Sequence, residues 1–255
     1  MSRNRRHLSQ NFLTDPAVAA AVVRLAGVTR DDLIVEAGPG DGILTRAIAR
    51  KARKVLAYEL DPALSRRLRH RFADDPRVHC VHRDFLSTSP PRGDFAVVAN
   101  IPYSRTSSIV QWCLEARALT GATLVTQLEY ARKRSGDYGR HSLLTVSTWP
   151  RFEWELAGRV GREKFDPVPR VDSGILRLTR RPLPLVPREA LGEYRRFVER
   201  GFSGVGGSLA ASLRHPYGSR AVGAAFRHVG VDPRAVVGYV TPTQWIGLFL
   251  EVARI

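Results

Sequence analysis

Asp94-Phe95-Ala96-Val97-Val98-Ala99-Asn100-Ile101-Pro102-Tyr103 is a short apolar run with a charge on one side and a proline on the other. Such a run fits a buried strand of a parallel sheet better than a helix. In an open α/β sheet, ligands lie just past the carboxyl ends of the strands, so Asn100 to Tyr103 would stand at a site. The amide of Asn100 both donates and accepts hydrogen bonds. Pro102 has no N–H and a fixed φ, which stiffens the turn and aims the neighbouring carbonyls. Tyr103 offers a flat face for a ring to stack on. The plainer reading is a strand followed by an Asn-x-Pro turn, since both residues are ordinary in turns. These four residues alone do not separate the two.

The chain on either side repeats the strand pattern. Leu33 to Ala37, Val55 to Glu59 and Val78 to His82 read as strands before it, and Ala122 to Leu128 as one after it. Helical stretches precede and separate them: Ala17 to Ala26, Ile43 to Ala52, Pro62 to Phe72 and Thr106 to Ala118. Asp15-Pro16 is a good helix start, with Asp as N-cap and Pro in the first turn. Tyr130 to Arg140 is basic and punctuated by glycine, which suggests a short helix and a loop. Leu143 to Thr148, Phe152 to Val160 and Ile175 to Leu178 are further strand candidates, antiparallel at one edge. The alternation predicts a doubly wound, Rossmann-like α/β domain over residues 1–181. Composition shifts at Arg180-Arg181-Pro182-Leu183-Pro184, which reads as a stiff linker. Helical patterns over Pro187 to Phe202, Arg220 to Val229 and from Thr241-Pro242 to Val252 predict a small all-helical domain over residues 182–255.

The formal net charge of +16 over 255 residues, 44% of them hydrophobic, allows a full core and points to a polyanionic partner. No apolar stretch approaches the roughly 18 residues of a membrane span, and the basic, polar start has no apolar core of a secretory signal. Nucleic acid in the cytoplasm is therefore the expected setting. Cys80 and Cys113 lack metal-type spacing, so no zinc site or disulfide framework is expected. Arg3, Arg5, Arg6 and His7 read as a basic arm.

Glu36-Ala37-Gly38-Pro39-Gly40-Asp41-Gly42 follows a strand and opens a helix. Its glycines let backbone approach a ligand closely. It is neither the G-x-G-x-x-G fingerprint nor a P-loop, and its acids Glu36 and Asp41 disfavour phosphate. Glu59 ends the next strand, where a carboxylate reaches a ribose diol. Asp84 ends the third, placed to accept from an adenine amino group. Three consecutive strands thus bring carboxylates to one sheet edge, a set that suits S-adenosylmethionine with its sulfonium, ribose and adenine.

The ordered set Gln10-Asn11-Phe12-Leu13, Glu36 to Gly42, Glu59, Asp84, Asn100 to Tyr103 and Phe165-Asp166-Pro167-Val168-Pro169-Arg170-Val171-Asp172-Ser173 resembles the ribosomal RNA adenine-N6 methyltransferases. The likeness covers residues 8 to 180 by motif and the helical part by architecture only. Asn11 and Ile101 look like the Erm branch, which methylates 23S rRNA and confers resistance to macrolides, lincosamides and streptogramin B. The branch that dimethylates 16S rRNA more often has His and Leu there. The resemblance implies a class I methyltransferase domain. It implies that Asn11, Leu13, Gly38, Glu59, Asp84 and Asn100 line the cofactor, with Gly40 in the same loop. It also implies that Asn100, Tyr103 and Phe165 hold the target base, Phe165 closing the face opposite Tyr103.

An adenine amine is a poor nucleophile because its lone pair is delocalised. Acceptors aimed at both N–H groups favour the tetrahedral nitrogen of the transition state, and the Asn100 side-chain oxygen and Ile101 carbonyl are candidates, with Pro102 fixing their directions. A strong base is unnecessary, since the proton leaves easily once nitrogen is cationic. The base must leave its stack to reach the site. Alternatives are the 16S enzyme and a non-catalytic nucleic-acid-binding factor on the same fold, the latter having no need of Asn100, Pro102 and Tyr103 together. A DNA adenine methyltransferase is also compatible with the chemistry. The chain is expected to be monomeric and metal-free.

Overall fold

A computed structural model describes residues 11–204 and 207–253; the basic arm and Gln10 lie outside them. The described chain divides into two compact units. The first comprises the described residues up to Ala131 together with Glu155–Thr179, and the second Arg132–Trp154 together with the described residues from Arg180 onward.

The first unit is built on a seven-stranded sheet of order β4-β3-β2-β5-β6-β9-β7. Its strands are β2 (Leu33–Ala37), β3 (Lys54–Glu59), β4 (Val78–His82), β5 (Phe95–Asn100), β6 (Leu119–Gln127), β7 (Phe152–Val160) and β9 (Ser173–Arg180). β2 to β6 pair in parallel and β9 runs antiparallel to β6. The parallel strands carry near-continuous apolar runs because helices cover both faces. A separate two-stranded ribbon pairs β1 (Phe12–Leu13) with β8 (Phe165–Asp166), Leu13 opposite Phe165.

Local chemistry sets the helix starts. Helix α1 (Pro16–Leu25) is capped by Asp15, whose carboxylate accepts the Ala17 N–H at 2.8 Å. Helix α2 (Ile43–Ala49) starts from Gly42, and α3 (Pro62–Arg71) from Asp61, which accepts from Ala63 and Leu64. Helix α4 (Thr106–Glu115) follows a 3-10 turn at Tyr103–Arg105.

The second unit departs from the sequence reading in four places. Helix α5 (Leu128–Ser135) leads from one unit to the other, and Leu143–Thr148 forms helix α6 rather than a strand. Ser142 caps α6 by accepting the Thr145 N–H. Val146 lies in the helical core, and the Tyr194 hydroxyl donates to its carbonyl at 3.1 Å. These contacts draw residues 132–154 into the second unit, so the boundary expected at 181/182 describes only part of it. The proline stretch is no free linker either, for the Arg181 and Leu185 N–H groups donate to the Arg151 and Pro150 carbonyls. The helices are α7 (Leu191–Phe202), α8 (Leu209–Tyr217), α9 (Ser219–Val229) and α10 (Pro242–Ala253). Helix α8 was not legible in sequence because Pro216 interrupts its pattern; Ser208 caps it. At α10, Thr241 and Gln244 cap each other reciprocally, a capping box.

Candidate functional site

β2 and β5 are neighbours, but the chain builds outward from them in opposite directions, to β3 and β4 on one side and to β6 on the other. The crevice at their carboxyl ends is the usual ligand position in such a sheet. Two cavities meet there. The larger, about 660 Å³, is walled by Gly38, Glu59, Asp84 and Pro102, among others, with Tyr58, Leu60, Phe85, Leu86 and Ile109 as apolar surface. The smaller, about 340 Å³, is lined by Asn11, Phe12, Gly38, Asn100, Ile101, Pro102 and Tyr103. Gly38 and Pro102 border both.

Glu59 is only 1% exposed. One carboxylate oxygen accepts the Asp61 N–H at 2.9 Å and the other the Gly40 N–H at 3.0 Å. Burial raises its pKa, against the pull of those two N–H groups. Each oxygen keeps acceptor capacity for a ligand hydroxyl. Gly40 holds this brace from outside the cavity. Its φ is +57°, and a Cβ there would come within 2.6 Å of the Phe12 ring. Asp84 accepts the Leu86 N–H at 3.0 Å and pairs with the Arg105 guanidinium at 2.9 Å, and both members of that ion pair line the larger cavity.

Glu36 behaves differently from the reading of the loop as acidic. It is fully buried and lines neither cavity, and burial raises its pKa to about 8, with the Glu59 charge adding to the rise. Of the three strand-end carboxylates, only Glu59 and Asp84 line the larger cavity.

At the end of β5, the Asn100 Nδ2 donates to the Asn11 carbonyl at 2.9 Å. That fixes the amide and leaves Oδ1 as an acceptor beside Ile101 and Pro102. The Ile101 side chain is buried, and its N–H stays in the sheet, donating to Val125. The Tyr103 hydroxyl is 2.7 Å from the Ser173 Oγ, which anchors the half-buried ring, and burial raises its pKa.

The Ribosomal RNA adenine dimethylase family matches residues 1–254. The chain belongs to that family. It is 56% identical to an rRNA adenine N-6-methyltransferase of Streptomyces fradiae over 97% of this chain and 78% of the relative. A mycinamicin-resistance protein of Micromonospora griseorubida is 38% identical over 96% of this chain and 78% of the relative. The crystal structure of the 23S rRNA methyltransferase ErmE superposes with a TM-score of 0.92 at 51% identity, covering 95% of this chain and 100% of that one. The chain is thus an rRNA adenine N6-methyltransferase with the α/β methyltransferase fold of its family.

Within this family member, the structure gathers Asn11, Gly38, Glu59, Asp84, Asn100, Ile101, Pro102 and Tyr103 around the two cavities. Leu13 and Phe165 line neither. They share the core of the first unit, 5% and 2% exposed, so in this structure Phe165 offers no free face. Sequence reasoning missed Arg105 as the partner of Asp84 and Ser173 as the anchor of Tyr103. Ser173 stood in a quoted motif, but its partner lies 70 residues away. Among the described residues, no cluster of His, Cys, Asp and Glu could hold a metal, and no helix is long and apolar enough to cross a membrane.

Proposed function

We propose that this enzyme transfers a methyl group from S-adenosylmethionine to the N6 amine of an adenine in 23S rRNA, and that the modification confers resistance to macrolides, lincosamides and streptogramin B. The observation that carries the reading is the fixed Asn100 amide, with Nδ2 held by Asn11 and Oδ1 left to accept in the smaller cavity. The names of its relatives, which include a 23S rRNA methyltransferase and a mycinamicin-resistance protein, support the substrate and the role.

The residues fit the cofactor. Glu59 would accept from the ribose hydroxyls and Asp84 from the adenine amino group, with the purine between apolar walls. Asn11, Gly38 and Asn100 would border the methionine end; Leu13 and Gly40 would support it from behind. When bound, the cofactor supplies an electrophilic methyl on a sulfonium. Asn100 Oδ1 and the Ile101 carbonyl then accept from the two amine hydrogens, drawing the nitrogen toward tetrahedral geometry. Pro102 fixes both directions, and Tyr103 stacks on the flipped base. The first unit carries this chemistry, and the second contributes to RNA contact.

Two measurements test the proposal. Methyl transfer to separated 16S and 23S transcripts, with the modified base mapped, should label adenine in 23S alone. Expression in a macrolide-sensitive bacterium should raise resistance. Label in 16S rRNA without resistance would move the enzyme to the housekeeping branch.

Glu59→Ala should weaken S-adenosylhomocysteine binding by about 1.5–3 kcal/mol, the usual range for hydrogen bonds to a charged group. Glu59→Gln keeps one acceptor for the ligand and should lose less. Unchanged calorimetric affinity in a folded Glu59→Ala protein would remove this residue from the site.

A further inference from the structure

The second unit carries sixteen Arg and Lys against seven Asp and Glu. On this cationic body, two tyrosines lie exposed, each beside an arginine. Tyr239 is 48% exposed. The Arg140 Nε donates to its hydroxyl at 2.7 Å, and the guanidinium carbon is 4.8 Å from the ring centroid. Tyr138 is 41% exposed, with the Arg132 guanidinium 4.0 Å over its ring; Arg132 is itself steadied by Asp137 at 2.5 Å. The two pairs belong to one surface. Arg140 is two residues from Tyr138, and the His141 N–H donates to the Gly238 carbonyl at 2.7 Å, clasping the loop after α5 to the turn that holds Tyr239. Val236, in the same turn, is 63% exposed.

Each half-exposed tyrosine ring has an ordered guanidinium packed over it. Its flat face suits a nucleobase, and the adjoining guanidinium suits a phosphate. A duplex keeps its bases stacked inside, whereas unpaired nucleotides present their faces. The side chains are ordered before any ligand arrives, which lowers the entropic cost of binding.

We propose that Tyr138 and Tyr239, with Arg132 and Arg140, form a stacking platform for unpaired nucleotides of the ribosomal RNA, separate from the pocket for the target adenine. The inference rests on the reading of ribosomal RNA as substrate. It predicts that the second unit recognises single-stranded features flanking the target, and does more than supply positive charge.

The test compares a 23S-derived hairpin carrying unpaired nucleotides with a fully paired duplex of equal length. Tyr239→Ala and Tyr138→Ala should each weaken hairpin binding about tenfold, within the range for one stacked base, and leave duplex binding nearly unchanged. Tyr239→Phe and Tyr138→Phe keep the ring and should stay close to the parent protein. Arg140→Gln should lower the slope of log affinity against log salt by about 0.7, one phosphate contact. S-adenosylhomocysteine affinity should be the same in all variants, because Glu59, Asp84 and Asn100 belong to the first unit. Equal losses on hairpin and duplex, Phe variants as weak as Ala, or full hairpin affinity in both Ala variants would each overturn the platform. Failure of the parent protein to bind or methylate either ribosomal RNA would instead overturn the reading of function.

Discussion

Replacing Asn100 with Ala should lower kcat for methyl transfer by about 10²–10³-fold, the usual cost of removing one aligned transition-state hydrogen bond. The expectation follows from the division of labour within a single amide. Nδ2 is committed to the Asn11 carbonyl at 2.9 Å, so the group can neither rotate nor swap its ends without losing that bond. Oδ1 is thereby pre-aimed, and an acceptor that needs no reorganisation is worth most where charge develops on the amine. Because the interaction strengthens as the nitrogen becomes tetrahedral, the loss should appear in kcat, with the RNA Michaelis constant moving little. Asn100→Asp is the informative companion. It retains an acceptor but presents a carboxylate to the Asn11 carbonyl, so it should misplace the acceptor and recover only part of the rate. The measurement is a single-turnover methyl-transfer assay with saturating RNA and cofactor. A rate in Asn100→Ala within a few-fold of the parent would move the amine's acceptor elsewhere, the Ile101 carbonyl being the remaining candidate.

The parts of this site that were legible in the sequence are those written locally. A buried strand announces itself as an apolar run, and the residues after it must stand at the sheet edge, so Asn100 to Tyr103, Glu59, Asp84 and Gly38 were all placed where the fold puts them. What joins them was hidden. The Asn100–Asn11 bond spans 89 residues and the Tyr103–Ser173 bond 70, and no local pattern encodes a partner so distant. Burial was hidden as well. Glu36 looked like one of three carboxylates on a common edge, but its place in the middle of the sheet buries it completely and pushes its pKa to about 8. Phe165 likewise stands in a motif that suggests a base-holding ring, yet its pairing opposite Leu13 turns it into the core.

The second unit was read less well for a related reason. Leu143–Thr148 is short and rich in leucine and β-branched residues, and periodicity does not separate strand from helix over so few positions. The Ser142 cap and the contact of Val146 with the helical core decide it. One consequence is practical. A truncation after Pro182 would remove Tyr194 and the other partners of Val146 and leave residues 132–154 with an uncovered apolar face. Such a protein would not isolate the catalytic half, and point substitutions are the sounder way to probe the second unit.

Of those, Phe197→Ala should have the largest effect on stability. Phe197 is completely buried, with its ring centroid 5.3 Å from Tyr217, 5.6 Å from Phe249 and 5.9 Å from Trp245. It thus ties α7 to α8 and α10, and no single neighbour can fill the space it vacates. Truncating a core phenylalanine to alanine costs about 3–5 kcal/mol, part lost transfer energy and part cavity. The two edge-to-face contacts, with Trp245 and Phe249, place this site toward the upper end of that range. Chemical denaturation followed by tryptophan fluorescence is well suited to the test, since Trp245 lies in the same cluster and reports its exposure directly. Phe197→Leu, which keeps most of the apolar volume, should recover more than half of the loss. S-adenosylhomocysteine affinity, measured well below the transition, should be unaltered because every residue of the cofactor cavity belongs to the first unit. A loss under about 1 kcal/mol in Phe197→Ala would mean that the helices collapse into the space, and that the aromatic cluster is less rigid than its geometry indicates.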